Sequence, residues 1–364
     1  MTSFVVVGAG WRGRGFWRLA DRLDELTCVG AVVRSPRPLE VPAFESLDEC
    51  VDTARPDFLL IAVPWPETPG LVVDAVRHGV PVLVETPPAP DVPGLRSLWD
   101  AVGGSDLVQV AEQYPRLPTH SARAAVVRSG SLGTPTQVQV SSTHQYHAVA
   151  LMRALLGVGF EPATVRAVRL GAPLVDPMDR QGWTNDDTAK PATTTIATID
   201  FGHGRSGVYD FTDNQWHNQL RFRRIVVRGS RGELRDDLVV RLTGPRTIAT
   251  SPLVRRQTGH DLDLEGFDTD HISFDGEVVF RNPYPGRRWN DDEIAMASML
   301  DAMAAWVRGD GSPPYPLADG MQDHLVALAV EDAAATGRTV ITSDDEPWSS
   351  RTSTHVAGAA RYVD

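Results

Sequence analysis

The chain has 364 residues, 42% of them hydrophobic and 23% charged, and its formal net charge is −12. That length suits two domains with ample core. The acidic balance, with no basic run to offset it, argues against nucleic acid or an anionic membrane as a partner. No apolar run reaches the roughly 18 residues of a membrane span, and no leader segment precedes the first predicted strand, so we expect a cytoplasmic protein. Cys28 and Cys50 match neither a metal-ligand nor a disulfide spacing, and we expect no metal site.

The stretch FVVVGAGWRGRGFWRLADRL predicts a buried strand over residues 4–7, a glycine turn, and a helix beginning near Trp11. Gly8, Gly10 and Gly13 stand at the spacing G-x-G-x-x-G. The first glycine allows the tight turn, the second lets a pyrophosphate approach the backbone, and the third lets the helix pack on the strand. A second strand follows about 20 residues on, so we interpret the motif as a dinucleotide-binding turn. The alternative is a structural turn in another doubly wound domain.

The second predicted strand ends at Val33 and is followed by Arg34, Ser35 and Arg37, with no acidic residue between them. A carboxylate at this point would bind the ribose 2′-hydroxyl and favour NAD, whereas arginine permits the 2′-phosphate of NADP. An arginine here also lies flat on adenine when NAD is bound. We expect NAD, with NADP as the open alternative.

Apolar strands alternate with amphipathic helices as far as residue 117, which predicts a parallel sheet covered on both faces. The strands end at Pro64-Trp65, Glu85-Thr86-Pro87 and Glu112-Gln113-Tyr114, and these ends should line one crevice with the glycine turn. The residues that we expect to bind the cofactor are Gly8, Gly10, Trp11, Arg12, Gly13, Arg34, Ser35, Pro64, Trp65, Glu85, Thr86, Pro87 and Gln113.

From Pro118 the pattern changes to a helix, a strand, a helix ending at Gly157, and then several alternating strands, one of them over residues 221–235. These strands predict an open, largely antiparallel sheet, and two amphipathic helices follow it. We expect residues 252–290 to form an irregular loop and residues 346–364 a loosely held tail. The predicted fold is therefore α/β, with a dinucleotide-binding domain over residues 1–117 and a substrate-binding α/β domain over 118–345.

The chain resembles the glucose-fructose oxidoreductase / inositol dehydrogenase (Gfo/Idh/MocA) superfamily. The segments that carry the resemblance occur in the family's order: the glycine turn, VETPPA, EQYPRLP, SGSLGTP, HAVALMRALLG, IVVRGSRGEL and PLADGMQDHLVALAVEDAAATGR. The resemblance implies an N-terminal Rossmann domain and a C-terminal α/β domain with an open sheet. It also implies homo-oligomers, dimers or tetramers, formed through that sheet, and nicotinamide chemistry on sugars or polyols.

Two positions depart from the family pattern. The usual Glu-Lys-Pro appears as Glu85-Thr86-Pro87, and Thr86 has a hydroxyl but cannot act as a base at neutral pH. In the usual His-x-x-Asp, His147 matches the histidine while Ala150 stands at the aspartate. The family's usual proton-handling groups are therefore incomplete, although the cofactor motif is intact.

His144, Tyr146 and His147 form the strongest chemical cluster outside the glycine turn, at a predicted strand-to-helix junction. Two histidines and a tyrosine supply a base near neutral pH and a phenolic acid, and a helical turn would place both histidines on one face. The alternative is that these side chains serve packing or capping. The catalytic candidates are His147, His144, Tyr146 and Thr86.

The substrate side is predicted from Tyr114, Lys190, Trp216, His217 and Arg221. Aromatic faces pack on sugar C–H surfaces, and polar neighbours fix hydroxyl groups. Lys190 is the only lysine of the chain and is a candidate for the missing ammonium, or is a surface lysine. Arg221 and Arg223, two apart on a predicted strand, share a face and either bind an anionic group such as a carboxylate or sulfonate, or are solvated. The expected partner is a carbohydrate or glycoside, with an anionic one allowed.

Some members of the superfamily are NAD-dependent glycosidases in which an uncharged residue also replaces the motif lysine. This resemblance favours redox-neutral glycosidic cleavage, in which NAD oxidises a sugar hydroxyl and a base removes the neighbouring proton. The glycosidic bond is then expelled, water adds, and the hydride returns from the cofactor. The alternatives are a plain NAD(P)-dependent sugar or polyol dehydrogenase or reductase, and a catalytically silent cofactor-binding protein.

Overall fold

Six parallel strands form the sheet of the N-terminal part, in the order β3-β2-β1-β4-β5-β6. The computed structural model describes residues 1–35, 38–179, 181–259 and 265–357. The strands of this first sheet are β1 (Thr2–Val7), β2 (Leu26–Val32), β3 (Ala43–Phe44), β4 (Phe58–Ile61), β5 (Val82–Val84) and β6 (Val108–Val110). The strands β4, β5 and β6 are buried along their whole length because helices cover both faces of the sheet.

Four helices connect these strands: α1 (Trp11–Ala20), α2 (Leu47–Ala54), α3 (Thr68–Arg77) and α4 (Val92–Val102). Ser46 and Asp91 cap the N-termini of α2 and α4, because their side-chain oxygens accept the amides of Glu49 and Gly94. A 3-10 turn over Tyr114–Arg116 then leads into the second half of the chain.

The second half is built on a sheet of eleven strands in the order β18-β17-β16-β15-β14-β13-β7-β12-β11-β8-β19. Neighbouring strands are antiparallel except for β7 and β12, which are parallel. Its strands and the separate β9-β10 pair are β7 (Pro135–Ser141), β8 (Thr164–Val175), β9 (Met178–Asp179), β10 (Gly182–Trp183), β11 (Ala189–Asp200), β12 (Ser206–Thr212), β13 (Arg224–Gly229), β14 (Gly232–Arg235), β15 (Leu238–Gly244), β16 (Thr247–Thr258), β17 (Asp268–Phe274), β18 (Glu277–Arg281) and β19 (Val340–Ile341).

The helices of the second half are α5 (Pro118–Arg128), α6 (Gln145–Leu156), α7 (Asp291–Val307), α8 (Leu317–Thr336) and α9 (Thr354–Ala357). α6 and α8 pack on each other and on one face of the large sheet, while α7 crosses back to pack on α1. The N-terminus of α7 therefore lies beside the glycine turn. No helix in the described part of the chain is both long enough and apolar enough to cross a membrane.

The predicted fold class is confirmed, but the prediction was wrong in three segments. The strand predicted over residues 221–235 is the hairpin β13-β14, so Arg221 and Arg223 lie in the loop before it. Residues 252–290 are largely strands β16, β17 and β18 instead of an irregular loop. Apolar side chains lie on both faces of these strands, since Leu253 is buried whereas Val254 and Val278 are exposed, so the sequence lacks a clean apolar alternation. Residues 260–264 of this segment lie outside the described residues.

The predicted tail is the third of these segments, because its described part packs on both halves of the chain. Trp348 is fully buried and contacts Trp99 with ring centroids 6.2 Å apart. Glu346 forms an ion pair with Arg96, and the Asp319 carboxylate accepts hydrogen bonds from residues 353 and 354. The buried Trp348 and these polar contacts attach the described part of the tail to the rest of the chain, although its composition is typical of a loose tail.

Candidate active site

The glycine turn between β1 and α1 leaves room for an anionic group at the helix N-terminus. Gly8 has a φ of +104°, and a Cβ there would lie 2.4 Å from the Ala62 carbonyl oxygen. A Cβ on Gly13 would lie 2.2 Å from the Gly8 carbonyl oxygen, so only glycine lets α1 approach β1 this closely. A Cβ on Gly10 would meet no atom within 4 Å, and Gly10 is the N-cap of α1. The open space therefore faces the free amides of α1, which is the arrangement that binds a pyrophosphate.

A cavity of about 630 Å³, here called the nucleotide cavity, lies beside this turn at the ends of β1, β2 and β4. Of the residues predicted to bind the cofactor, it contains Gly8, Gly10, Arg34, Ser35 and Pro64. Arg34 donates to the Glu67 carboxylate at 2.7 Å, and the carboxylates of Glu45 and Glu67 both line the cavity. Arg37 lies outside the described residues. The turn and the cavity fit a dinucleotide.

A second cavity of about 840 Å³, here called the seam cavity, lies between the two sheets. The structure brings ten of the predicted site residues together in its wall: Trp11, Arg12, Glu85, Thr86, Gln113, Tyr114, His144, Tyr146, His147 and Trp216. They come from the glycine turn, the ends of β5 and β6, the start of α6 and the loop after β12. Segments far apart in sequence thus converge on one cavity.

Six predicted site residues do not line either cavity: Gly13, Trp65, Pro87, Lys190, His217 and Arg221. Lys190 is exposed and forms an ion pair with Asp186 at 2.9 Å, so it does not supply the missing ammonium to the seam cavity. The Arg221 guanidinium donates to the neighbouring Leu220 carbonyl. His217 contacts the edge of Trp216, and its Nε2 lies 3.3 Å from the Asp176 carboxylate.

Glu112, which follows β6, forms the shortest polar contact to a candidate catalytic residue. Its Oε2 lies 2.6 Å from Nδ1 of His147, and its Oε1 accepts the Tyr114 amide at 2.9 Å. Both side chains are buried, with 1% of the Glu112 side chain and 8% of the His147 side chain exposed. Burial raises the pKa of Glu112 to about 8 and lowers the pKa of His147 to about 3. The pair therefore shares one proton between carboxyl and ring, and its titration belongs to both groups.

The prediction placed Glu112 at a strand end in the crevice but did not include it among the site residues. The available signal was a carboxylate directly after an apolar strand, at the edge where such sheets bind ligands. Its partner lies 35 positions further along the chain. No local pattern connects the two residues, so the pair is visible only in the folded structure.

Three aromatic rings surround His147. The ring centroids of Tyr114, Tyr146 and His144 lie 4.2, 4.5 and 5.2 Å from that of His147. The Tyr146 hydroxyl lies 3.5 Å from the Thr86 carbonyl oxygen, to which it donates. Burial raises the pKa of Tyr146 well above its usual range and lowers the pKa of His144 to about 4. Both side chains are therefore neutral at physiological pH.

The start of α6 carries local backbone strain. His144 is the N-cap of α6, and Gln145, the first helical residue, has a φ of +44°. Such a conformation costs free energy in a residue with a Cβ, and the surroundings must hold it. The Tyr209 hydroxyl accepts the Gln145 amide at 3.2 Å. This turn places both histidines in the wall of the seam cavity, His144 from the extended N-cap position and His147 from the first turn of the helix.

Arg12 connects the glycine turn with the opposite wall of the seam cavity. Its Nε donates to Glu85 at 2.7 Å, and its Nη1 lies 3.3 Å from Asp292 at the start of α7. The Gln113 amide nitrogen lies 3.5 Å from the same aspartate. In the described structure, Arg12 Nη2, Gln113 Oε1 and His144 Nδ1 are buried without a hydrogen-bond partner. Buried polar atoms are almost always paired, so these three indicate a polar ligand in the cavity.

The remaining wall comes from residues that sequence reasoning missed. Arg123 on α5 donates to Asp237 at 3.0 Å and contacts Nδ1 of His120 at 3.2 Å, while Arg255 binds Asp291 through two hydrogen bonds. Burial, and then the charge of Arg123 and Arg223, lowers the pKa of His120 to about 3. The two ion pairs join residues 114 and 36 positions apart, and no motif indicated them. Among the described residues, no group of three His, Cys, Asp or Glu side chains converges as metal ligands do.

The fold and the glycine turn define an N-terminal nucleotide-binding half of the Rossmann type, followed by an open, largely antiparallel sheet. Residues 2–114 match the model of the oxidoreductase family with an NAD-binding Rossmann fold, Gfo/Idh/MocA. The resemblance to the superfamily seen in the sequence is confirmed over these residues. A sequence search of the curated proteins gave no match.

Solved structures share the whole fold at low sequence identity. An oxidoreductase from Agrobacterium radiobacter, solved with NAD+, L-tartaric acid and magnesium, is 17% identical with a TM-score of 0.67, covering 93% of this chain and 98% of that one. A myo-inositol dehydrogenase from Corynebacterium glutamicum is 19% identical with a TM-score of 0.64, covering 94% and 99%. The WlbA dehydrogenase from Bordetella pertussis, solved with NADH and UDP-GlcNAcA, is 16% identical with a TM-score of 0.64, covering 94% and 98%.

Proposed function

We propose that this protein is an NAD-dependent oxidoreductase acting at a hydroxyl-bearing carbon of a sugar or polyol. The observation that carries the proposal is the buried Glu112–His147 pair in the seam cavity, beside the strand ends of a nucleotide-binding domain. An ordinary member of the family uses its motif lysine near the reacting hydroxyl, and Thr86 cannot take that part. The Glu112–His147 pair supplies a proton acceptor in its place.

The cofactor would be held by the glycine turn, with Gly10 and the amides of α1 at the pyrophosphate and Arg12 at the entrance to the seam cavity. A bound nicotinamide supplies hydride transfer to or from the reacting carbon. The Arg12 Nη2 and Gln113 Oε1 atoms, which are buried without partners in the described structure, are available to the ligand there. The protein's part is orientation and proton handling.

Glu112 fixes how His147 presents its ring. Because Nδ1 is held by the carboxylate at 2.6 Å, Nε2 is the ring nitrogen left for a substrate hydroxyl. When the pair has lost its exchangeable proton, Nε2 carries a lone pair and accepts the hydroxyl proton as an alcohol is oxidised. When the pair has kept that proton, Nε2–H donates to a carbonyl oxygen as a ketone is reduced. One site thus serves both directions.

The nucleotide cavity favours NAD over NADP. Arg34 is engaged by Glu67, and the Glu45 and Glu67 carboxylates line the same cavity. Carboxylates accept hydrogen bonds from ribose hydroxyls and repel a 2′-phosphate. NADH should therefore bind at least about tenfold more tightly than NADPH, and Glu67→Ala should reduce that preference. Equal affinities for the two nucleotides in the wild type would contradict this assignment.

Redox-neutral glycosidic cleavage is the second candidate, favoured by the additional groups around His147. Cleavage without net oxidation needs a base for the C–H next to a carbonyl carbon and an acid for the departing glycosidic oxygen. His147 serves as the base, and the Tyr146 hydroxyl and the His144 ring, 4.5 and 5.2 Å from it, offer a second proton-handling group. The plain dehydrogenase needs only the first of these.

Turnover of two substrate sets separates these reactions. Sugars and polyols that yield NADH in proportion to substrate consumed support the dehydrogenase. Nitrophenyl glycosides that are cleaved with catalytic NAD and no net NADH, and that gain deuterium from heavy water at the neighbouring carbon, support the glycosidase. Tight NADH binding with neither activity across both sets contradicts the proposal and leaves a cofactor-binding protein without catalysis.

The open face of the eleven-stranded sheet is where we propose self-association. Apolar side chains are exposed on it at Val168, Leu170, Ile196, Val240 and Ile248. Exposed apolar side chains gathered on one sheet favour burial against a second copy. Sedimentation velocity should give a dimer or tetramer, and Ile196→Glu should shift it toward the monomer. A wild-type monomer at micromolar concentration would contradict this proposal.

A further inference from the structure

The loop between β12 and β13, residues 213–223, contributes two side chains to the wall of the seam cavity: Trp216 and Arg223. The Trp216 side chain is 41% exposed and contacts His217 through its ring. Arg221 and Phe222 of the same loop do not line the cavity, and Phe222 is 87% exposed. One loop thus contributes an aromatic side chain and a guanidinium group to the wall of the same cavity.

Among the cations that line this cavity, Arg223 differs from the others in its pairing within the described residues. Four arginines line the cavity, and three of them form ion pairs: Arg12 with Glu85 and Asp292, Arg123 with Asp237, and Arg255 with Asp291. Within the part of the chain that the structure describes, Arg223 has no ion pair and no hydrogen bond.

Four of the five carboxylates that line the cavity form the ion pairs named above. The fifth one, Asp236, accepts the Ile225 amide at 2.9 Å. An anionic ligand would therefore meet Arg223 without displacing an existing partner.

We propose that Trp216 and Arg223 form a subsite for a sugar that carries a carboxylate, with Trp216 packed on the C–H face of the ring and Arg223 bound to the carboxylate. The inference rests on the proposed function, because the same cavity must hold the reacting carbon near His147. It names the substrate class of that site, a hexuronate or its glycoside.

The chemistry of the two side chains selects this class. Arginine binds a planar carboxylate through two parallel hydrogen bonds, and these charge-assisted contacts are stronger than those of a neutral hydroxyl. A neutral sugar would gain the contact with Trp216 but would leave the guanidinium unpaired. A hydrocarbon or aromatic acid would gain the ion pair but would leave the polar atoms near His147 without partners. A carboxylated sugar satisfies both ends of the cavity.

Equilibrium binding in the presence of NADH tests the subsite without requiring turnover. The probes are D-glucuronate and D-galacturonate, each compared by calorimetry with the neutral hexose of the same configuration. We expect at least one uronate to bind about 10- to 100-fold more tightly than its neutral counterpart at low salt, the range of a charge-assisted hydrogen bond. The difference should shrink as salt is added, because the site is open to solvent.

Arg221 provides the matched control, since it lies two residues away and outside the cavity. Arg223→Gln should remove the preference for the uronate and leave the neutral hexose unaffected, whereas Arg221→Gln should keep the wild-type preference. Trp216→Ala should weaken both sugars by similar factors. Equal binding of uronates and hexoses by the wild type, or an unchanged preference in Arg223→Gln, would overturn the proposal.

His147→Ala separates this inference from the proposed function. The variant should lose turnover and keep the preference for the uronate, because Arg223 is intact. A wild-type protein that prefers uronates but turns over no sugar would refute the proposed function alone. A wild-type protein that oxidises sugars but binds both kinds equally would refute the subsite alone.

Discussion

Two neighbouring strands, β5 and β6, end at the seam cavity, and each is followed by a glutamate. The two glutamates lie in different environments. Glu85, just after β5, faces Arg12 of the glycine turn at 2.7 Å, and 17% of its side chain is exposed. Glu112, just after β6, faces His147 at 2.6 Å, and 1% of its side chain is exposed. A guanidinium does not release its proton at any pH of interest, whereas an imidazole exchanges one readily. The partner and the burial, more than the residue type, decide what each carboxylate does.

The comparison assigns different roles to the two glutamates of the proposed site. The Glu85–Arg12 pair carries fixed charge next to the glycine turn, and Asp292 extends it across to α7. The Glu112–His147 pair has a proton to exchange, and burial places the pKa of Glu112 at about 8. Changes at the β5 end should therefore alter cofactor affinity, and changes at the β6 end should alter the pH dependence of turnover. The following experiments test that division, beginning with the largest expected effect.

His147→Ala should lower kcat by about a thousandfold or more, because it removes the group that exchanges the substrate proton. The affinity for NADH, measured by fluorescence titration, should change by less than about threefold, because His147 is absent from the glycine turn and the nucleotide cavity. His78→Ala is the control, since His78 lies on the surface at the end of α3 and should leave both values unchanged. Retained turnover in His147→Ala would remove this residue from the mechanism.

Glu112→Gln should abolish the alkaline rise of the oxidation rate. In the wild type the Glu112 carboxyl holds its proton below its pKa of about 8 and loses it above, so kcat/KM for oxidation should rise with pH through about 8. The rate of ketone reduction should fall over the same interval, because that direction needs the protonated pair. Glutamine still contacts Nδ1 but cannot become an anion, so oxidation should drop by about a hundredfold on the alkaline side and lose its pH dependence there.

The groups around the Glu112–His147 pair keep the same protonation state while the pair titrates. Tyr114 and Tyr146 pack on the ring of His147, His144 stands edge-on to it, and Arg12 and Glu85 act through their charges. Because burial keeps both tyrosines and His144 neutral near pH 8, their protonation does not change over the interval that matters. A pH profile of Glu112→Gln that matches the wild type would show that another group controls the reaction.

Glu85→Gln should weaken NADH binding by about tenfold and leave the alkaline rise in place. Removing the carboxylate frees Arg12 from its 2.7 Å contact, so the guanidinium is held less firmly beside the turn. The proton exchange at the other strand end is untouched. The reverse outcome, in which nucleotide affinity is unchanged and the alkaline rise is lost, would contradict the assignment of cofactor affinity to Glu85 and of pH dependence to Glu112.

The sequence identified the ends of β5 and β6 because their features are local. Apolar runs predict the strands, the glycine spacing predicts the turn, and the parallel topology brings the strand ends to one edge. Burial and pairing depend on contacts that no local pattern contains. Arg12 meets Asp292 across 280 positions, and His147 meets Glu112 across 35. For the same reason the sequence suggested Lys190, the sole lysine, as the missing ammonium, although the fold places it on the surface beside Asp186.

Thr86→Lys tests the position between the two strand ends and should have the smallest effect. Thr86 lines the seam cavity directly after Glu85, and an ammonium there would stand near the Glu112–His147 pair. A positive charge favours the anionic form of a nearby acid, so the alkaline rise of oxidation should move down by about one pH unit. Thr86→Ser is the control that keeps the hydroxyl and the wild-type profile. If Thr86→Lys also converts glycoside cleavage into net NADH formation, the missing lysine selects between the two proposed reactions. An unchanged pH profile would mean that the ammonium does not reach the Glu112–His147 pair. The choice between dehydrogenation and glycoside cleavage would then depend on Tyr146 and His144.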